Sequence, residues 1–130
     1  MWIYQIACGV ISDGQQPRAV GYSGFQAGLN DPDLESHPDL GPIPHGLYTI
    51  NAPQDTTLHG PYVLSLTPDP GNEMHGREGF LIHGDEIDHP TTHMASRGCI
   101  ILPPDVRRAV WESGDHQLRV VRGESVFSLK

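Results

Sequence analysis

Phe80-Leu81-Ile82-His83-Gly84-Asp85 and Ala95-Ser96-Arg97-Gly98-Cys99-Ile100-Ile101-Leu102 are the two stretches whose reading decides the fold. Each is a short apolar run bounded by glycine, which suits a buried strand rather than a helix. His83 and Cys99 stand sixteen residues apart, enough for two adjacent strands with a loop between them. Gly98 lets the backbone approach closely or take positive φ ahead of the cysteine. Peptide N–H groups at such a turn can face an oxyanion. Arg97 is placed to favour a thiolate or bind a carboxylate. A thiol, an imidazole and N–H donors are the parts a cysteine acyl transferase needs. Taken alone, Cys99 would read as a buried structural thiol. The flanking Ser96-Arg97-Gly98 and the upstream His83-Gly84-Asp85 favour the chemical reading.

Working outward, residues 2–11 are rich in Trp, Ile, Tyr and Val and read as a strand. Asp13-Gly14 marks a turn and Arg18 to Tyr22 the returning strand. Residues 26–42 are polar and read as a long surface loop, a feature often tied to function in a compact domain. The rigid Gly41-Pro42-Ile43-Pro44-His45-Gly46 turn feeds a strand at Leu47 to Ile50. Tyr62 to Leu66 is another strand, followed by a turn over Thr67 to Asn72. The only good helix follows Pro103-Pro104. Val106, Ala109 and Val110 recur at helical spacing, with Pro104 near its start and Gly114 past its end. Gln117 to Val121 is a final strand. The expected architecture is mainly β with one short helix after Cys99, as one domain over residues 1–130.

Composition agrees. With 15 Gly and 12 Pro in 130 residues, short strands and turns are favoured over long helices. No apolar run approaches the roughly 18–20 residues of a membrane span, and Met1 to Ile6 lacks the basic start of a signal peptide. Eight Lys and Arg against sixteen Asp and Glu give a net charge of −8. Arg107, Arg108, Arg119 and Arg122 are scattered among acids, so no basic stripe offers itself to nucleic acid. Cys8 and Cys99 do not make a disulfide framework, and Cys8 reads as a half-buried thiol.

The chain has eight histidines. His75, His83, His89 and His93 cluster near Asp85 and Asp88, so a zinc hydrolase competes with the cysteine reading. No HExxH or CxxC is present, and Pro90 disfavours a helical His89/His93 pair. No metal and no cofactor is expected. Asp31, Asp33 and Glu35 read as solvated loop acids.

His83-Gly84 followed by Ser96-Arg97-Gly98-Cys99-Ile100 resembles the catalytic signature of the L,D-transpeptidases, in which His precedes Cys. The likeness extends from about residue 2 to 122. Gly21-Tyr22-Ser23-Gly24, the Asn30-Asp31-Pro32 loop, Gly41 to Tyr48, Leu66 to Asn72, Met74-His75-Gly76-Arg77 and Phe80 to Asp85 resemble the compact L,D-transpeptidase-like effectors of type VI secretion systems.

The resemblance implies an L,D-transpeptidase-like β-sandwich or barrel. It implies L,D-carboxypeptidase or transpeptidase action on peptidoglycan stem tetrapeptides in the periplasm of a rival bacterium. It also implies synthesis without a signal peptide, delivery by a secretion-apparatus carrier, and a cognate immunity protein. On this likeness Cys99 is the nucleophile and His83 the base, with His89 next. Ser96, Arg97 and Gly98 shape the turn, and the Gly98–Cys99 backbone supplies the oxyanion donors. Gly84 and Asp85 support the histidine; His75, Arg77 and Tyr22 line the site or read the substrate. Many L,D-transpeptidases carry a second His where this chain has Arg97. Its role would pass to Arg97, His89 or His93. The loops at 26–42, 53–61 and 84–95 would shape the cleft and choose the acceptor. A non-catalytic wall-binding module is the other alternative.

Overall fold

The computed structural model describes residues 1–85 and 96–123. The chain forms β1 (Trp2–Gln5), β2 (Val10–Ser12), β3 (Pro17–Val20), β4 (Tyr22–Ser23), β5 (Gly46–Ile50), β6 (Gln54–Thr56), β7 (Gly60–Pro68), β8 (Leu81–His83), β9 (Ile100–Ile101), the helix α1 (Pro104–Glu112) and β10 (Gln117–Val121). The strands make one mixed sheet in the order β3-β2-β1-β10-β5-β7-β8-β9-β4, with β6 also paired to β7. The protein is mainly β, and among the described residues α1 is its one α-helix.

The expected strand over residues 2–11 is two strands. The Gly9 N–H donates to Gln5 O at 2.8 Å, and Gly9 has φ +74°. That left-handed turn reverses the chain, so β2 pairs antiparallel to β1. The strand expected at Tyr62–Leu66 is longer, because β7 serves three partners. Its far end pairs with β5, its start with β6, and Leu64 and Ser65 with β8.

Alternation sets the core. Tyr4, Ile11, Tyr48, Ile50, Leu64, Ile82, Ile100, Leu118 and Val120 are buried in one cluster with Val110 of α1. These residues come from nearly the full width of the strand order, so the sheet curls around a single core. α1 starts with Pro104 in its first turn and turns Val106, Val110 and Trp111 towards that core. No helix among the described residues is long and apolar enough to cross a membrane.

β8 and β9 run parallel, with Ile82 opposite Ile100 and His83 opposite Ile101. Parallel neighbours need a crossover of a dozen or more residues, which the spacing between the two motifs supplies. The sixteen-residue separation therefore becomes a lateral neighbour relationship.

Candidate active site

Cys99 immediately precedes β9 and lies across from Leu81, whose N–H donates to Cys99 Sγ at 3.3 Å. Ile82 and Ile100 face the core, so Leu81 and His83 stand on the opposite face of β8. His83 is two residues beyond Leu81. It occupies the diagonal position from Cys99 across the β8–β9 pair.

The turn before Cys99 is built by hydroxyls. Ser96 is fully buried; its Oγ donates to Cys99 O at 2.6 Å and accepts the N–H groups of Gly24 and Gly98, each at 3.0 Å. Ser23, also fully buried, donates to Gly98 O and accepts from Ile43 N, both at 2.9 Å. Gly98 has φ +130°, and a Cβ there would lie 2.5 Å from Arg77 Nη2. Only glycine fits. Because Ser96 takes the Gly98 N–H, that group is not presented to a ligand as the sequence reading expected.

His83 is 3% exposed. Its Nδ1 lies 2.8 Å from Gly84 O. A carbonyl only accepts, so Nδ1 carries the proton and Nε2 keeps its lone pair. Burial pushes the His83 imidazole down to about 4, against the pull of the Gly84 hydrogen bond. Burial pushes the Cys99 thiol up to about 11, against the Leu81 N–H and the nearby Arg77 charge. The resting pair is therefore a neutral thiol and a neutral imidazole, not a thiolate as expected from the sequence. Such a pair works as a hydroxyl–imidazole pair does, with proton transfer during attack.

Cys99 opens into a cleft of about 340 Å³ shared with His59, Arg77, Phe80, Arg97 and Asp39. Arg97 lines the same cleft as Cys99. Its guanidinium lies 4.0 Å over the Phe25 ring, and the cation nearest in effect to the thiol is Arg77. The Arg77 guanidinium bonds the carbonyls of Glu35, Pro42, Gly41 and Arg97, tying the 35–42 segment to the cysteine turn. Tyr22 donates to Asp85 Oδ1 at 2.6 Å beside β8.

His75 is directed at Glu35, with Nε2 2.9 Å from Oε2, while His45 Nδ1 lies 2.8 Å from Oε1. Glu35 is thus buried and bridged by two imidazoles, not solvated as its loop composition suggested. Its burial raises its pKa, but the hydrogen bonds from His45 and His75 outweigh that and leave it lowered. Within the histidine cluster proposed for zinc, His75 and His83 are engaged with different partners. No group of three potential ligands is arranged for a metal among the described residues. His89 and His93, named as alternative bases or ligands, and Asp88 lie outside the described residues.

Two site residues were not found from the sequence. His59, on the β6–β7 turn, lines the cleft, and its ring centroid lies 4.4 Å from that of His83. Arg107 on α1 is 3% exposed, and its guanidinium donates to the carbonyls of Pro61, Tyr62 and Leu102. Those groups belong to the segments that carry His59 and follow Cys99. A Cβ on Gly84 would lie 3.0 Å from Arg107 Nη1, so a larger residue after His83 would press on that guanidinium.

The family model of the Tlde1 domain matches residues 18–124. The chain belongs to the Tlde1 domain family. Membership makes it one of a family of type VI secretion effectors, antibacterial toxins delivered to target cells and matched by a cognate immunity protein. No curated protein and no solved structure matches the chain. The family match spans the cleft residues Cys99, His59, Arg77 and Arg97, as well as the buried His83 and Arg107.

Proposed function

We propose that this Tlde1-family chain is a cysteine acyl transferase acting on peptidoglycan stem tetrapeptides, as an L,D-carboxypeptidase or transpeptidase in the periplasm of the target cell. The observation that carries the reading is the diagonal placement of Cys99, immediately before β9, from His83 on the parallel neighbour β8, with Cys99 opening into the cleft. The His83 tautomer supports it, since Nε2 keeps the lone pair a base needs.

In this scheme Cys99 Sγ attacks the carbonyl carbon of the third stem residue while His83 Nε2 takes the thiol proton. The carbonyl π-electrons move to oxygen, which the Cys99 N–H stabilises. The oxyanion collapses, the amide C–N bond breaks, and the His83 imidazolium gives its proton to the departing D-alanine amine. A thioester remains. Water, with His83 as base, hydrolyses it to a tripeptide carboxylate and free thiol. An incoming D-amino acid or stem amine would instead form a new amide.

The test is a mass spectrum of purified stem tetrapeptides after incubation with the wild type and with Cys99→Ala. The expected result is loss of one D-alanine with the wild type alone, and a second mass when a free D-amino acid is added. Full activity in Cys99→Ala would overturn the reading.

A further inference from the structure

The geometry points to His59 as a positioning residue for His83, a role that rests on the cysteine–histidine reading above. β6 and β7 form a hairpin in which Thr56 pairs with Gly60, leaving Thr57, Leu58 and His59 to close the turn. Gly60 takes φ +82° there, a conformation glycine adopts without strain. The His59 N–H donates to Thr56 Oγ1 at 2.8 Å, so its backbone is fixed while the neighbouring Leu58 is 84% exposed. A fixed backbone beside an open turn delivers the His59 ring to one place.

That place is the surface of His83. The ring centroids are 4.4 Å apart and the planes tilt by 36°. This is a close, tilted ring–ring contact. Two consequences follow for a base at His83. The neighbouring ring restricts rotation about the His83 ring bond, which keeps Nδ1 on Gly84 O and Nε2 aimed away from it. His59 lines the cleft whereas His83 is almost wholly buried, so His59 stands towards the cleft water beside the thiol. Each consequence uses the ring's surface rather than its nitrogens, which makes the role one of positioning.

The experiment compares His59→Ala and His59→Phe with the wild type in two readouts. One is kcat and KM on stem tetrapeptide. The other is the NMR resonance of the His83 Nδ1–H, which reports its bond to Gly84 O whether or not the chain is an enzyme. His59→Ala is expected to lower kcat by about 10–100-fold, the scale of a misplaced catalytic group, with KM nearly unchanged. Its His83 Nδ1–H resonance should broaden through faster exchange with water. His59→Phe restores a ring face and is expected to recover kcat to within about threefold of wild type, along with the resonance. Wild-type kcat and an unaltered resonance in His59→Ala would overturn the proposal. So would a His59→Phe variant as slow as His59→Ala, because the ring nitrogens would then be required. Activity surviving in Cys99→Ala would instead defeat the acyl-transfer reading, and the resonance comparison would still report whether His59 holds His83.

Discussion

Ser23 and Ser96 hold the cysteine turn through consecutive carbonyls, Ser23 Oγ donating to Gly98 O and Ser96 Oγ to Cys99 O. Neither hydroxyl reaches water, and Ser96 also accepts two backbone N–H groups. Ser96→Ala would strand the Gly24 and Gly98 donors in a dry site. Each buried group left unpaired costs about 1–3 kcal/mol. The expected loss is about 3 kcal/mol in urea unfolding, with a larger fractional loss of activity than of folded protein at 25 °C. Stability within 0.5 kcal/mol of wild type, on the scale of about the noise of a surface change, would show that water replaces the hydroxyl.

Why the turn was readable and its supports were not follows from chemistry. Gly98 and Cys99 announce themselves locally, since a glycine before a reactive residue has few other uses. β8 and β9 were visible as apolar runs, but β4 is a two-residue pairing without enough length to show a period. β6 is Gln54-Asp55-Thr56, wholly polar, and only its register with β7 makes it a strand. His59 was hidden with it. Glu35 looked solvated because charge and loop composition suggested so; His45 and His75, distant in sequence, make its burial tolerable. Arg107 looked like one of several scattered cations until the fold closed three carbonyls around it.

The two depressed and raised groups set a pH profile. In the proposed scheme, activity requires neutral His83 and is carried by a thiol that stays protonated at rest. On a stem tetrapeptide, kcat/KM is expected to hold level across neutral pH and fall as pH drops through about 4. On the alkaline side it should change only near about 11. An acid limb at the ordinary imidazole value, about 6.5, would assign the base to a different histidine.

The same His83 shift links pH to stability. Its pKa is lower in the folded chain, so between the folded and unfolded values the unfolded chain binds the extra proton. Its contribution is fully present above the unfolded value of 6.5 and is lost as pH falls through about 4. The loss amounts to about 3 kcal/mol. Urea unfolding at several pH values should show this slope in the wild type and a shallower one in His83→Gln. Parallel slopes in the two proteins would place the acid sensitivity elsewhere.

Glu35 supplies a second acid-sensitive element with a lower window. Its folded pKa is lowered, so its stabilisation is present above the ordinary carboxylate value and lost as pH falls through the folded one. Glu35→Gln keeps the shape, removes the charge, and leaves only one amide oxygen for two imidazole donors. The expected cost at pH 7 is about 1–3 kcal/mol. The gap between variant and wild type should narrow in acid. A gap independent of pH would mean that the histidines bind the side chain's shape and not its charge.

Arg107 is the most demanding case, because desolvation opposes it. A buried guanidinium is disfavoured by burial, and the adjacent Arg108 charge lowers its pKa further. Against that stand hydrogen bonds to three carbonyls on the segments that flank the cleft. Charge-assisted bonds contribute about 1.5–3 kcal/mol each, enough together to offset a desolvation cost of several kcal/mol. Arg107→Met removes the desolvation cost but leaves the carbonyls of Pro61, Tyr62 and Leu102 without their donor. The net expectation is a loss of about 3 kcal/mol. Arg107→Lys, a point charge in place of a fork, should recover only part of it. Activity should fall in both variants even where the protein remains folded, because the Leu102 and Pro61–Tyr62 bonds set the spacing between the Cys99 and His59 segments. A fully active, wild-type-stable Arg107→Met would show that the strand ladders alone hold those segments in place.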